Sequence, residues 1–325
     1  MFFDSEHIKP QFQFYDFHPK QNDFYQEVID GLSQSPKRIP PKFFYDKTGS
    51  ELFDKICLAP EYYPTRTELS ILKNHKRQIS RLIGPGCLLM EPGSGSSQKV
   101  RTLLEEIKPK AYLPLDISKT YLRSAAHSLA AEYPWLQVHA ACVDYTDAFE
   151  LPPQLPNGHM VAFFPGSTIG NFEPRDAVRF MRNLALALGP EGGLLIGVDL
   201  KKHPDTLSAA YNDAGGITAA FNKNLLHRIN RETGSDIDLR DFRHWAFYNE
   251  QAGRIEMHLV SNKQQQIRID GRCFDFAANE SIHTENSYKY HVEDFQALAA
   301  QAGFTAVKVW TDTDRLFSVQ YFETA

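Results

Sequence analysis

Three short apolar runs, each ending in a carboxylate and separated by helical segments, constrain this chain more than any other feature. They are residues 87–91 (CLLME), 112–116 (YLPLD) and 138–144 (VHAACVD). Between them, residues 97–107 place Val100, Leu103, Leu104 and Ile107 at helical spacing, and residues 119–131 read as a second helix. Two more runs, 160–164 and 193–200, flank a helix predicted over 177–188. Runs that are apolar throughout belong to strands buried on both faces, and strand–helix alternation makes the sheet parallel. Glu91, Asp116 and Asp144 then emerge along one edge, the side on which open α/β sheets bind ligands.

The alternation stops after residue 201. Residues 207–231 read as helical with a Gly215-Gly216 break, 239–245 and 254–260 as further segments, and 265–276 alternates like one antiparallel strand. A helix over 291–302 and strands over 305–310 and 317–322 then finish the first sheet with an antiparallel hairpin. The expected division is an α/β domain of residues 67–201 plus 290–325, and a second domain of 1–66 plus 202–289.

Composition excludes several classes. Hydrophobic residues make up 42% and charged residues 23%, enough to bury a core. The net charge of −5 supplies no bulk attraction to nucleic acid. Cys57, Cys87, Cys142 and Cys273 form no CxxC pair, and the twelve histidines show no HExxH spacing, so no metal is expected. The opening MFFDSEHIKPQFQFYDF is broken by charges and Pro10 and reads as neither signal peptide nor anchor. No apolar run reaches the ~20 residues that span a bilayer. The expectation is a cytoplasmic protein with free thiols.

The turn after the first run, Glu91-Pro92-Gly93-Ser94-Gly95-Ser96-Ser97, opens a helix. It lacks the Gly-Lys-Ser/Thr of a phosphate loop and the third glycine of a dinucleotide fingerprint. An acid after the second strand (Asp116) is placed to accept from both ribose hydroxyls. One after the third (Asp144) can accept from an adenine amino group, with Tyr145 as a flat neighbour. The plain alternative is that such acids cap helices. The set resembles the class I S-adenosylmethionine-dependent methyltransferases, which differ from nicotinamide enzymes in the shortened glycine turn and the final helix–strand–strand unit.

Longer motifs lie outside that unit: PPKFFYD at 40–46, GSELFD at 49–54, EYYPTRTE at 61–68, GSTIGN at 166–171, AYND at 210–213, TAAFN at 218–222, IEM at 255–257 and TENS at 284–287. In this order they resemble the histidine-specific Nα-methyltransferases of ergothioneine biosynthesis, over nearly the whole chain from about residue 38. The resemblance implies an α/β fold: a class I (Rossmann-like) methyltransferase sheet with a second, α+β substrate domain made from the N-terminus and an insertion. It implies pocket tyrosines at Tyr45 and Tyr62, and a group at Gly166, Asn171 and Tyr211 that orients the amino-acid backbone. Met257, Glu285 and Ser287 would surround the imidazole. Gly93, Lys99, Asp116, Asp144 and Tyr145 would hold the cofactor, and Tyr45 and Asn171 would serve the reacting amine. Three positions depart from the family's usual residues: Pro92, Tyr145 and Asn286.

The implied reaction is methyl transfer from S-adenosylmethionine to the α-amine of L-histidine and its mono- and dimethylated forms, giving hercynine. The implied protein is a monomer without metal, nucleic-acid or membrane partner. The residue types suit that chemistry. Asn171 and the Tyr211 hydroxyl can donate to a carboxylate, and Glu285 can accept an imidazole N–H. Ser287, two residues on in an extended segment, addresses the same ring. The alternatives are an exposed polar strand for TENS, a satisfied core tyrosine for Tyr62 and a gap-filler for Met257. Two rival functions are an Nα-methyltransferase of a tryptophan derivative, whose indole would leave Glu285 poorly paired, and a non-catalytic binder of histidine or cofactor.

Overall fold

The computed structural model describes residues 12–17, 24–146 and 149–325. The first eleven residues, read above as neither signal nor anchor, lie outside the described residues. In chain order the strands are β1 (Phe12–Asp16), β2 (Lys37–Arg38), β3 (Leu88–Pro92), β4 (Ala111–Asp116), β5 (Gln137–Cys142), β6 (Met160–Phe164), β7 (Gly193–Asp199), β8 (Phe242–Asn249), β9 (Arg254–Ser261), β10 (Gln265–Ile269), β11 (Arg272–Phe276), β12 (Ser281–Tyr288), β13 (Phe304–Thr311) and β14 (Phe317–Thr324). The helices are α1 (Phe24–Leu32), α2 (Lys47–Ile56), α3 (Tyr63–Ile83), α4 (Arg101–Ile107), α5 (Lys119–Glu132), α6 (Pro174–Leu188), α7 (Pro204–Ala210), α8 (Ile217–Thr233) and α9 (Val292–Ala300).

The apolar runs form an eight-stranded sheet of order β1-β5-β4-β3-β6-β7-β14-β13, in which β14 alone runs against the others. This is the expected class I methyltransferase sheet, with its terminal antiparallel hairpin. Strand order reverses beside β3, so the Gly93–Gly95 turn sits at the switch point, where such sheets bind ligands. Apolar clusters cover both faces. Leu89, Tyr112, Val138 and Phe163 pack on one side with α3, α4 and α5; Met90, Leu113, Phe164 and Ile196 pack on the other with α6 and α9.

A third apolar core gathers residues 28–63 with 207–282 around a four-stranded sheet of order β2-β12-β9-β8. Two boundaries differ from expectation. Strand β1, expected with this unit, pairs in parallel with β5 and widens the large sheet; Phe12 and Phe14 meet one core and Tyr15 the other. Helix α3 crosses the expected boundary at residue 67, because Ile71, Leu72, Ile79 and Ile83 bury against the large sheet. The stretch 265–276 is not one strand but the hairpin β10–β11. Asp270 and Gly271 turn it with positive φ (46° and 76°), the geometry that suits a two-residue hairpin loop. The Gly215-Gly216 break separates α7 from α8, as the sequence predicts.

Candidate active site

At the switch point, Gly93 turns with φ +66°, and a Cβ there would meet the Tyr145 hydroxyl at 2.7 Å, so only glycine fits. The N–H groups of Gly93 and Ser94 donate to the Leu115 carbonyl, and that of Gly95 to Asp116 Oδ2 at 3.2 Å. Asp116 also accepts from the Ser118 N–H at 2.9 Å. Burial raises the Asp116 pKa despite these bonds. Asp144 accepts from both the backbone and the hydroxyl of Thr146. The Tyr145 ring stands edge-on to Phe164 and Phe180, and burial, then Asp116 and Asp144, raise its hydroxyl's pKa. These three residues therefore lie close together beside the glycine turn. Ser94 Oγ is buried there with no partner among the described residues. Acceptor carboxylates, an aromatic face, a close backbone and an orphaned hydroxyl fit a nucleoside bearing an amino-acid tail.

Lys99 reaches the same edge but is tied down. Its Nζ donates to Glu68 Oε2 at 2.6 Å, and both Glu68 oxygens accept from the Gly166 N–H at 2.9 and 3.0 Å. Glu68 is wholly buried on α3. It thereby joins Lys99, after β3, to Gly166, after β6.

The pocket tyrosines stand on the other unit. Asp46 caps α2 by accepting from the Gly49 N–H at 2.7 Å, and it also binds Asn224 and Arg231, which fixes the turn carrying Tyr45. Tyr45 packs edge-on to Phe53 and Phe221, and Tyr62 edge-on to Phe53 and Tyr211. Burial of its hydroxyl end raises the Tyr45 pKa well above normal, although 39% of the residue stays accessible. After burial, Glu285 and then Tyr145 push the Tyr45 pKa up further. Tyr62 likewise feels Tyr211 and Glu285.

Glu285 owes its direction to a β-bulge. His283 pairs with His258 across β12–β9, the register then shifts, and Glu285 pairs with Met257. Side chains alternate along β9, so the bulge turns Glu285 onto the Met257 face, away from His283. The Thr284 hydroxyl, at the shift, donates to Asn222 Oδ1 and lies 3.0 Å from the Met257 carbonyl. Burial, opposed by Lys289, pushes the Glu285 carboxyl up to about 7. Ser287 accepts from the Tyr211 hydroxyl at 2.8 Å. Asn171 ends a short helical turn, Thr168–Asn171, that packs on β12 through the close approach of Gly170 to the Tyr288 backbone. Its amide has no hydrogen-bond partner among the described residues. Asn286 points the other way and donates to Glu173 at 2.8 Å.

Sequence reasoning missed the groups behind this pocket. Lys289, 2% exposed, donates to Ser287 Oγ at 2.7 Å, Tyr211 at 3.1 Å and Asp199 Oδ2 at 2.9 Å. Asp199 also accepts from Tyr63 and Lys202. Two signals were available. Lys289 follows Glu285 and Ser287 at strand spacing, and Asp199 is a fourth acid at the end of an apolar run. A second omission lies on the far face of the small sheet, where possible ligand atoms of Glu256, His258 and His283 come within 4.8 Å of one another. Linear spacing cannot reveal a cross-strand cluster. The two imidazoles stack at 4.7 Å with planes 13° apart, in a ladder continued by Phe247 and Trp245.

The family model for histidine-specific, S-adenosylmethionine-dependent methyltransferases matches residues 24–324. The chain belongs to that family. A histidine N-alpha-methyltransferase of Mycolicibacterium smegmatis is 41% identical over 293 residues, covering 88% of this chain and 90% of the relative. Ergothioneine biosynthesis protein 1 of Neurospora crassa is 30% identical over 286 residues, 85% of this chain and 32% of that longer protein. A 4-dimethylallyltryptophan N-methyltransferase of Claviceps purpurea is 28% identical over 313 residues, covering 88% of this chain and 91% of the relative. This methyltransferase has no helix among its described residues long and apolar enough to cross a membrane.

Proposed function

We propose that the protein transfers methyl groups from S-adenosylmethionine to the α-amine of L-histidine, three in succession, giving hercynine for an ergothioneine-type pathway. The observation that carries this reading is the bulge that sets the Glu285 carboxylate beside Met257, on the strand that also carries Ser287 and near enough to Tyr45 and Tyr62 to act on their hydroxyls. An imidazole needs one acceptor and one donor, and this pair supplies both.

S-adenosylmethionine, when bound, supplies a methyl group already activated on a sulfonium. Asp116 and Asp144 would hold its nucleoside, and Gly93 and Lys99 its amino-acid end. The chain's remaining task is alignment and a neutral amine. An α-amine with a reference pKa of about 8 is mostly protonated at pH 7. The raised Tyr45 pKa keeps its phenol neutral, so Tyr45 serves as a hydrogen-bond partner and not as a phenolate base. The unpartnered Asn171 amide is free to orient the substrate's carboxylate and amine. Tyr45 and Tyr62 offer ring faces to the growing ammonium.

A monomer acting in the cytoplasm on a small molecule, without metal or nucleic acid, completes the proposal. The test is incubation of purified protein with S-adenosylmethionine and each of the twenty amino acids, read by mass spectrometry. The expected product comes from histidine and is heavier by three methyl groups. A product from tryptophan alone, or binding without turnover, would replace the histidine reading.

A further inference from the structure

We propose that Lys289 is a positioning residue that sets the hydrogen-bond polarity of the pocket, fixing Ser287 as a donor opposite the acceptor Glu285. The inference rests on histidine being the substrate. The Lys289 ammonium has three N–H groups and three partners: Asp199 at 2.9 Å, Tyr211 at 3.1 Å and Ser287 at 2.7 Å. With all three engaged it has none to offer a ligand, so it acts through its neighbours.

Its consequence falls on Ser287. A serine oxygen has two lone pairs and one hydrogen. Lys289 fills one lone pair and the Tyr211 hydroxyl, at 2.8 Å, fills the other. The hydrogen is the one group left, so Ser287 meets a ligand as a donor. Glu285, two residues earlier, meets it as an acceptor. A neutral imidazole, with one N–H and one bare nitrogen, satisfies both; an indole or pyrrole, with an N–H alone, leaves the serine donor unpaired. Burial alone would pull the Lys289 pKa down, but Asp199 and Tyr211 outweigh it and hold the pKa up, so the ammonium stays charged. Asp199 is fixed in turn by Tyr63 at 2.7 Å and Lys202 at 2.6 Å, and its backbone N–H donates to Ser167 Oγ at 2.9 Å.

The test begins with the parent enzyme, whose failure to methylate histidine would end the substrate reading before Lys289 is examined. In Lys289→Met, Asp199 keeps Lys202 and Tyr63, so no carboxylate is left bare. The expected result is a Michaelis constant for histidine raised at least ~10-fold, with kcat changed much less and S-adenosylmethionine affinity unchanged. In a Ser287→Ala background the same substitution should have little further effect, because its target is gone. Additive losses, or an unchanged Michaelis constant, would overturn the proposal. A second measurement needs no variant. An amino acid bearing a pyrrole ring keeps the N–H for Glu285 but has no bare nitrogen, and it should bind the parent at least ~10-fold more weakly than histidine. Equal binding would show that the donor side is not read.

Discussion

Met257 and Glu285 stand directly opposite one another across the antiparallel pair β9–β12. Directly paired residues share a face with Cβ atoms roughly 5 Å apart, so a buried thioether dries one side of the carboxylate. A ligand that brings no N–H to Glu285, as when a bulkier indole holds its own N–H at a different place from an imidazole's, would leave that carboxylate unpaired at a cost of several kcal/mol. Glu285→Ala should therefore raise the Michaelis constant for histidine at least ~10-fold, about 1.4 kcal/mol, and narrow the preference for histidine over tryptophan. Turnover of both amino acids by parent and variant is the measurement. An unchanged preference would remove Glu285 from ring recognition.

The same burial makes recognition depend on pH. With its carboxyl raised to about 7, Glu285 is mostly an acceptor at pH 8 and mostly protonated at pH 6. Histidine affinity should weaken as pH falls through about 7, beyond the contribution of the ligand's own groups. Glu285→Gln keeps an acceptor oxygen but cannot titrate, so that added dependence should vanish. Calorimetric titrations of histidine across this range, with parent and variant, check it. Parallel pH profiles would mean that another group titrates.

The centre of the large sheet was legible because β3 to β7 are apolar runs punctuated by turn residues, whereas the half-exposed edge strand β1 (FQFYD) carries no such signal. The acids at the strand ends were legible for the same reason. The direction of Glu285 was not. Plain alternation puts His283 and Glu285 on one face, and only the register against β9 exposes the bulge that separates them. The Lys289–Asp199 pair was hidden differently, since 90 positions of sequence separate two buried charges that share one ion pair at 2.9 Å. Asp213 and Asp46, quoted within motifs, turn out to cap helices: Asp213 accepts from the Ile217 and Thr218 N–H groups, both at 2.8 Å. Part of the motif signal was therefore structural scaffolding around the tyrosines.

Asp116 is bonded to the glycine turn through the Gly95 N–H and is proposed to hold the cofactor's ribose. Two charge-assisted bonds to ribose hydroxyls contribute ~1.5–3 kcal/mol each before water replacement is discounted. Asp116→Ala should thus weaken S-adenosylmethionine binding by tenfold or more. Asp116→Asn serves as the control, because its one remaining oxygen can still accept from the Ser118 N–H, although the second acceptor, used by the Gly95 N–H, is lost. Its smaller loss would separate turn geometry from ribose contact. Unchanged calorimetric affinity in the alanine variant would take Asp116 out of the ribose role.

Gly197 offers a test of the Glu68 bridge from a residue with no chemistry of its own. A Cβ at Gly197, in β7, would lie 1.9 Å from Glu68 Oε1, so the carboxylate must move. Moving it loosens both of its partners, Lys99 at 2.6 Å and the Gly166 N–H at 2.9 Å. Glu68→Ala removes the acceptor outright and leaves a part-buried ammonium and a part-buried N–H unpaired. Breaking a buried ion pair from one side costs ~3–5 kcal/mol, reduced here because the Lys99 side chain is 20% exposed. Both variants should melt several degrees lower than the parent and bind S-adenosylmethionine more weakly. Glu68→Gln, which keeps an oxygen for Gly166, should fall between them and the parent. Thermal melts paired with calorimetry decide the matter: if Gly197→Ala leaves cofactor affinity intact while Glu68→Ala reduces it, the close approach of β7 does not set the position of that carboxylate.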